Sequence, residues 1–485
     1  MPPEQPLRSD KPVPLFVDVD GTLVRADLSL ESFVRIARSG IAALIAVLGW
    51  LIAGRAVAKT LAARRDRIDP ARLPYRPEVL RLIDEAKAVG RPVILASASH
   101  GRHIRGIADH LGLADPVIAT RGRSNLKGPA KLAAIRARID DAPFDYVGDS
   151  RADTCLWREA RQGWSVGHVP AGSTVARLGD PRPGAVRTIV KAMRPHQWAK
   201  NALVVVPAMT SGQFTNPAVL LTAVAAALLM SLIASSIYLL NDLLDIDADR
   251  AHRTKWKRPL AHGDLTIPAA LGLSLLLAAI GLAGGWWLGG PELMLWFFAY
   301  MAITTAYSFR LKAVMVGDAI VLASLYTIRI WIGAIAIGVA LSFWLLLFSV
   351  FLFLSLAYLK RYVEMRDAIE PARLLSGRGY VGGDLDVVMM SGISAGMVAI
   401  LVLALFAHDP ATAANYAQPQ MLWLLCLPLL YWLNRIWIMA RRGEVEGDPV
   451  AFAIKDRRSL LVGAVTAGIF MVALYGPAAV QLITG

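Results

Sequence analysis

Cysteine is nearly absent: the 485 residues hold two. Cys155 falls in a charged, mixed stretch and Cys426 in an apolar one, so they are not expected to meet. A disulfide framework and a cysteine zinc site are thereby excluded. The first residues, Met-Pro-Pro-Glu-Gln, lack the basic-then-apolar layout of a signal peptide, so the part that follows is expected to stay in the cytoplasm. Charge is also scarce, at 18% of the chain against 55% hydrophobic residues. The scarcity is local. Residues 1–195 alternate short strand-like runs with charged helices, whereas 200–485 hold repeated uncharged blocks of about 20 residues, the length that spans a bilayer. Length and this contrast predict a soluble α/β domain followed by an all-α, multi-pass membrane domain.

Nine apolar blocks are counted, at about 200–213, 217–240, 266–287, 291–308, 314–338, 342–359, 386–407, 420–440 and 459–480. Lys and Arg are missing from the segments near 212–217, 287–292, 338–342, 407–420 and 480–485. The alternate loops are rich in them: Arg250, Arg253, Lys255, Lys257 and Arg258, then Arg310 and Lys312, then Lys360, Arg361, Arg366, Arg373 and Arg378, then Arg441, Arg442, Lys455, Arg457 and Arg458. Basic loops face inward. The expected placement is the cell inner membrane, with the soluble domain and basic loops cytoplasmic and the C-terminus outside. The net charge of +14 is then explained by topology and anionic substrates, and no nucleic-acid partner is expected. Oligomeric state is not legible.

The longest specific pattern is Asn241-Asp-Leu-Leu-Asp-Ile-Asp-Ala-Asp-Arg250, placed where an apolar block meets water. On a helix, Asp242, Asp245 and Asp249 fall within about 60° of one another, with Asp247 pointing the opposite way. Three carboxylates on one face repel unless a cation lies between them, and hard oxygen ligands suit a Mg²⁺ shared with substrate phosphates. Basic groups surround the pattern at Arg194, Lys200, Lys255, Arg258, Lys360 and Arg361. Carboxylates for Mg²⁺ ringed by Lys and Arg are the parts that bind a diphosphate and release it as an anion. These acids lie at the membrane rim, which argues against a transporter, whose charged groups gather near the midplane. Arg329 lies well inside the fifth block and needs a partner. Asp318, eleven residues earlier, is three helical turns away on nearly the same face, and both are expected to face the bundle interior.

Asn241–Asp249 resembles the first aspartate-rich motif of the UbiA superfamily of intramembrane prenyltransferases, whose fold is a nine-helix bundle. Arg194-Pro-x-Gln-Trp-x-Lys200-Asn201, Tyr238-Leu-Leu-Asn-Asp, His252-x-x-Lys-x-x-Arg258-Pro-x-Ala261-x-Gly263, Tyr307-Ser308 and Lys360-Arg-Tyr-x-Glu364 resemble its decaprenyl-phosphate phosphoribosyltransferase branch. Together they cover most of 191–367; beyond 370 the match weakens, and Arg378, Asp384 and Asp386 are suspects only. The resemblance implies transfer of 5-phosphoribose from phosphoribosyl diphosphate to a polyprenyl phosphate, releasing pyrophosphate with Mg²⁺. Asp242, Asp245 and Asp249 would hold the metal on the donor diphosphate, which Asn241 orients. Arg194, Lys200, Lys255, Arg258, Lys360 and Arg361 would bind substrate, mainly its phosphates, and Glu364 the ribose hydroxyls or a second metal. The second Asp-rich motif of aromatic prenyltransferases is replaced by Lys360-Arg361 and Glu364. The alternative is movement of an isoprenoid from a prenyl diphosphate onto an aromatic or lipid acceptor.

In the soluble domain, Val13–Val19, Val93–Ser97 and Asp145–Asp149 read as buried strands separated by helices, which predicts a parallel sheet with its active groups at the strands' C-terminal ends. Residues of about 27–88 form a helical cap. Within it the uncharged run Gly40–Gly54 is short for a span, and spanning would put Asp18 and Asp149 on opposite sides of the membrane. A cap lying on the bilayer or on the membrane domain is expected, an embedded hairpin being the alternative. Asp18-x-Asp20-Gly-Thr22, Ser97, Lys127-Gly128 and Gly148-Asp149-x-x-x-Asp153 resemble, in order, the four motifs of haloacid-dehalogenase-type phosphohydrolases. The resemblance implies Asp18 as nucleophile, Asp20 as general acid and base, Ser97 and Lys127 as phosphate ligands, and a Mg²⁺ site drawn from Asp18, Asp20, Asp149 and Asp153. Lys131 is a weaker candidate for the place of Lys127. The expected layout is a phosphohydrolase domain over 11–170, a Pro- and Gly-rich linker over 171–195 and the membrane domain over 196–485.

Overall fold

The computed structural model describes residues 12–121, 126–179, 183–367, 379–413 and 416–476; Arg373, Arg378 and the C-terminal segment 480–485 lie outside them. Two compact units form, one of Met1–Met193 with Tyr238–Leu273, the other of Arg194–Ile237 with Ser274–Gly485.

In the first unit the strands are β1 (Leu15–Val17), β2 (Val93–His100), β3 (Ile118–Thr120), β4 (Asp145–Gly148), β5 (Gln162–Ser165) and β6 (Ala176–Arg177). They form one sheet in the order β3-β2-β1-β4-β5-β6, parallel throughout, with Leu15 opposite Val93 on one side and Asp145 on the other. Alternation along the strands builds a core on each face. Leu15, Val17, Val93 and Leu95 pack with Val79, Ile83, Ile104 and Ile107; Phe16, Ile94, Ala96 and Tyr146 pack with Ile135, Leu156 and Trp157. The first set of partners lies on Pro77–Ala88 and Gly101–His110, the second on Pro129–Ile139 and Thr154–Glu159. Strands β3, β5 and β6 were not legible beforehand, being two to four residues long. β6 and a helix over Ala185–Met193 occupy much of the expected linker, because the Leu178 N–H bonds the Ser165 carbonyl at 2.8 Å and extends the sheet.

The expected cap is three helices, α1 (Leu28–Arg38), α2 (Ile41–Ile52) and α3 (Arg55–Arg65). Asp27 starts α1 by accepting the Ser29 and Leu30 N–H groups at 3.0 Å each, an N-cap. α2 is twelve residues, about 18 Å at 1.5 Å per residue against the ~30 Å hydrocarbon layer, so it does not cross. Its Ile41, Ile45 and Ile52 are largely exposed.

Tyr238–Leu273 belongs to this unit through charge and close packing. Helix Pro217–Leu244 stops where Asp245 leaves helical geometry (φ −102°, ψ 16°), and a short helix, Ile246–Ala251, follows. Arg258, extended at ψ 143° as a residue before proline must be, starts the turn Pro259–His262, which Gly263 ends in the left-handed conformation (φ 83°). A Cβ at Gly263 would lie 2.0 Å from the Arg25 carbonyl oxygen. The Arg250 guanidinium bonds both oxygens of Glu31 at 2.9 and 2.6 Å, and Arg35 bonds both oxygens of Asp247 at 2.5 and 2.8 Å.

In the second unit, and through the helices entering it, seven helices of the described residues are long and apolar enough to cross a membrane. Ile267–Phe309 is two helices meeting at a kink, with non-helical backbone at Gly289 and Gly290 before Pro291; they lie where blocks 266–287 and 291–308 were expected, and Gly290 at φ 68° supplies the break. The first block becomes a 3₁₀ run, Pro195–Val205, and a helix of only five residues, Val206–Thr210. Buried polar pairs link the helices: Trp198 to Ser235 at 3.0 Å, Asn201 to Ser231 at 2.9 Å and Trp437 to Ser355 at 3.2 Å.

Replacing Gly263 by Ala is expected to cost at least the ~1–3 kcal/mol of a left-handed non-glycine residue, plus the clash with Arg25. Gly90→Ala, at φ 70° with open space around it, carries the conformational cost alone. Thermal unfolding should therefore show the larger loss of Tm for Gly263→Ala; equal losses would mean that the segment does not pack on Arg25.

Candidate functional site

The turn after β1 delivers Asp18 and Asp20 to the sheet's C-terminal edge, next to Ser97 at the end of β2 and Asp149 just past β4. Asp18 is buried. Lys131, in the first turns of helix Pro129–Ile139, reaches its Oδ1 at 2.8 Å, and Thr22 donates to its Oδ2 at 3.4 Å. Lys131 also stands 3.5 Å from Asp153, whose Oδ1 accepts the Tyr146 hydroxyl at 2.8 Å and whose Oδ2 accepts the Ser150 hydroxyl at 2.8 Å. Asp20 is held at both oxygens, by the Leu28 N–H at 2.9 Å and the Ser97 hydroxyl at 2.7 Å. Oxygens of Asp18, Asp149 and Asp153 lie within 4.8 Å of one another. Three carboxylates this close fit a hard divalent cation; the Asp20 carboxylate is outside that group.

Burial pushes the Asp18 carboxyl up to about 7, against the pull of Lys131. Burial disfavours the Lys131 ammonium, but Asp18 and Asp153 outweigh it and hold its pKa above the ordinary lysine value. Of the two lysines weighed from the sequence, Lys131 meets Asp18, whereas Lys127 is exposed on the preceding turn, within electrostatic reach of Lys59 on α3. Lys59 itself bonds the Ala98 carbonyl at 2.7 Å, and burial lowers its pKa. Nothing in the sequence pattern pointed to Lys59.

In the segment Tyr238–Leu273, Asp242 and Asp249 are buried and share one guanidinium nitrogen of Arg258, at 3.1 and 2.6 Å. The expected common face is thus realised for these two. Asp245 sits at the helix break and turns to Arg38, at 3.3 Å. Asp247 points away, as its spacing required, and Arg35 holds its carboxylate below the usual range in spite of burial. Lys255 is exposed, and Asn241 half-buried.

In the second unit, Lys200 and Lys360 converge on Asp448, at 2.6 and 3.7 Å. Burial would raise the Asp448 carboxyl, but Lys360 and Lys200 bring it down to about 2. Asp448 was missed in the sequence; its signal is Asp448-Pro449, an N-cap whose carboxylate also accepts the Val450 N–H at 3.0 Å. Arg361 is wholly enclosed: Asp318 lies 2.5 Å away, Tyr307 accepts a bond at 2.8 Å, and Glu364 completes the set. Asp318 also accepts the Tyr380 hydroxyl at 2.7 Å. Arg329 and Asp318 are both buried as expected, with different partners. Arg329 bonds Asn201 at 2.9 Å and Tyr300 at 2.7 Å. Arg194 adopts a left-handed backbone just before the 3₁₀ run. Asp384 precedes the helix Leu385–His408, whose first turn holds Asp386, and its carboxylate accepts the Val381 N–H at 3.0 Å.

Comparison with known families matches residues 202–459 to the UbiA prenyltransferase family and 15–158 to haloacid dehalogenase-like hydrolases. The chain belongs to the UbiA prenyltransferase family. It carries in addition an N-terminal haloacid dehalogenase-like domain, and it is a multi-pass membrane protein. The uncharacterized protein y4nM of Sinorhizobium fredii is 34% identical, over 96% of this chain and 92% of its own length. The decaprenyl-phosphate phosphoribosyltransferase of Mycolicibacterium smegmatis is 34% identical, over 57% of this chain and 89% of its own. Among solved structures, a UbiA homolog from Archaeoglobus fulgidus bound to GPP and Mg²⁺ is 17% identical, covers 61% of this chain and 99% of its own, and has a TM-score of 0.46.

A raised Asp18 pKa makes stability depend on pH with a definite sign. The folded unit keeps a proton that the unfolded chain, with a carboxyl near 3.8, has lost, so stability falls as pH rises from about 4 to about 7. Mg²⁺ added above pH 7 is expected to restore it by binding the folded form alone. Differential scanning fluorimetry should show both effects in the wild type and a loss of both in Asp18→Asn. A wild-type transition that ignores pH and Mg²⁺ would contradict the assignment.

Proposed function

We propose that this protein transfers 5-phosphoribose from phosphoribosyl diphosphate to a polyprenyl phosphate, with Mg²⁺, at the cytoplasmic face of the inner membrane, and that its N-terminal domain then removes the 5-phosphate. The observation that supports the first step most is the alignment with a decaprenyl-phosphate phosphoribosyltransferase over 89% of that protein. It is joined by buried Asp242 and Asp249 converging on Arg258, an arrangement of anionic oxygens suited to a cation shared with a diphosphate. The distribution of Lys and Arg among the loops supports the orientation. An apolar cavity of about 500 Å³ in the second unit, lined by Trp344, Phe348, Phe406, Leu429 and Trp432, suits an isoprenoid chain.

In the transfer, an oxygen of the lipid phosphate attacks C1 of the ribose as the C1–O bond to pyrophosphate breaks, and pyrophosphate leaves with the electron pair. Lys200 and Lys360, and Arg258 with Lys255, are the cations available to the phosphates. Arg361, enclosed by Asp318, Glu364 and Tyr307, acts by holding Glu364 in place. Bound Mg²⁺ supplies charge neutralisation on the departing pyrophosphate and on the transferring phosphoryl group.

In the hydrolysis, Asp18 attacks phosphorus and the bond to the ribose 5-oxygen breaks, giving an aspartyl phosphate. Asp20, fixed by Ser97 and the Leu28 N–H, gives a proton to that oxygen and takes one from the water that next attacks phosphorus. Inorganic phosphate leaves and Asp18 is regenerated. Lys131 and Ser97 face the phosphoryl oxygens.

Purified protein given both substrates and Mg²⁺ should release pyrophosphate and inorganic phosphate together. Asp18→Asn is expected to lower phosphate release at least 100-fold with pyrophosphate release kept, and Asp242→Ala with Asp249→Ala to abolish both. Turnover only with an allylic prenyl diphosphate as donor would overturn the phosphoribose reading in favour of isoprenoid transfer.

A further inference from the structure

The segment from Asn241 to Pro268 shows two chemically different faces. One carries Asp242 and Asp249 around Arg258. The other is pinned to α1 by the pairs Arg250–Glu31 and Arg35–Asp247, the first almost sealed from water at 5% and 2% exposure. Arg35 also reaches Glu31 at 3.0 Å and Asp66 at 3.2 Å, so three charged side chains of the α/β part and two of the segment form one network. Removing one partner of a buried pair leaves an uncompensated buried charge, and the contact of Gly263 with the Arg25 backbone leaves little room for sliding. The segment is therefore held in one position against the phosphohydrolase.

That position encloses a cavity of about 220 Å³, with Asp20 and Asp149 on one wall and Ile246, Leu260, Leu265 and Ile267 on the other. We propose that this cavity is the substrate pocket of the phosphohydrolase, roofed by the UbiA-family segment itself, and that it takes one phosphorylated monosaccharide. This rests on the phosphohydrolase reading of the N-terminal domain. Asp20 and Asp149 flank Asp18 at the sheet edge, so a phosphoryl group on Asp18 has its leaving group in this space. The volume is below the ~300–1,000 Å³ typical of drug-sized ligands, which fits a single sugar ring and excludes a larger body. Four aliphatic side chains give a roof that covers the ring without competing for the phosphate. Ile246 directly follows the apolar helix ending at Leu244, and Ile267 opens the next one. A lipid attached to the sugar thus has an apolar exit beside the roof. Asp247, which spacing set apart from the other aspartates, is a docking residue in this arrangement.

The test uses the full-length chain in detergent with Mg²⁺. Phosphate release is followed from ribose 5-phosphate, from p-nitrophenyl phosphate and from the lipid product formed in place, and pyrophosphate release is followed in parallel. Half-buried Leu265 is the residue to change. Leu265→Trp should lower phosphate release from ribose 5-phosphate and from the lipid product at least 10-fold, with pyrophosphate release within twofold of wild type. Leu265→Ala should raise the ratio of kcat/KM for p-nitrophenyl phosphate over ribose 5-phosphate at least fivefold, a change of selectivity that general destabilisation does not produce. If both Leu265 variants keep wild-type rates and ratios while Asp18→Asn abolishes phosphate release, the roof is refuted and the phosphohydrolase stands. If the wild type releases no phosphate that depends on Asp18, both fall.

Discussion

A carboxylate taken out of water costs several kcal/mol unless a cation comes with it, and that cost organises this molecule. Asp18 is met by Lys131, Asp242 and Asp249 by Arg258, Glu31 by Arg250, and Asp318 by Arg361. Asp18 with Lys131 and Glu31 with Arg250 join residues distant in sequence and so fix one element upon another, while Arg258 closes a local turn on Asp249. Around Asp18 three carboxylates crowd together with Lys131 between two of them, an arrangement that fits a hard divalent cation, whereas Arg361 is wholly enclosed by Asp318, Glu364 and Tyr307.

The segment Tyr238–Leu273 is where the two halves of the chain's chemistry meet. By family match it lies within the UbiA prenyltransferase region, 202–459; by packing it belongs to the α/β unit. This stretch of 36 residues thus carries Asp242 and Asp249 around Arg258 on one side and aliphatic side chains beside Asp20 and Asp149 on the other. The break at Asp245 makes this division possible. A straight helix would have kept Asp245 beside Asp242; the break turns it to Arg38 and lets Ile246–Ala251 present Asp247 and Arg250 to α1.

Legibility in the sequence followed the range of the interaction. The strands that carry Asp18, Ser97 and Asp149 at or near their ends were legible because their apolar runs are local signals. The choice between Lys127 and Lys131 was not, since four residues of one turn and helix separate them and only the fold shows which ammonium reaches Asp18. Helical periodicity put Asp242 and Asp249 together and gave Arg329 and Asp318 one buried face, but not their partners: Asn201 and Tyr300 for Arg329, Arg361 for Asp318. Periodicity describes one helix; partners on other helices are invisible to it. Asp448 was missed because its role depends on lysines 248 and 88 residues away.

What the amino-acid order determined alone was the class of each half: uncharged blocks long enough for a bilayer, strand ends carrying a phosphohydrolase motif set, and an aspartate-rich step between helix and water. These depend on composition and spacing within a few turns, and hydrophobic transfer and backbone geometry act at that range. Tertiary structure decided the pairings: that Lys131 reaches Asp18, that Arg258 closes Asp242 and Asp249, and that Ile246, Leu260 and Leu265 line a cavity with Asp20 and Asp149. Charges choose their partners by three-dimensional proximity in a low-dielectric interior, and no local pattern encodes that choice.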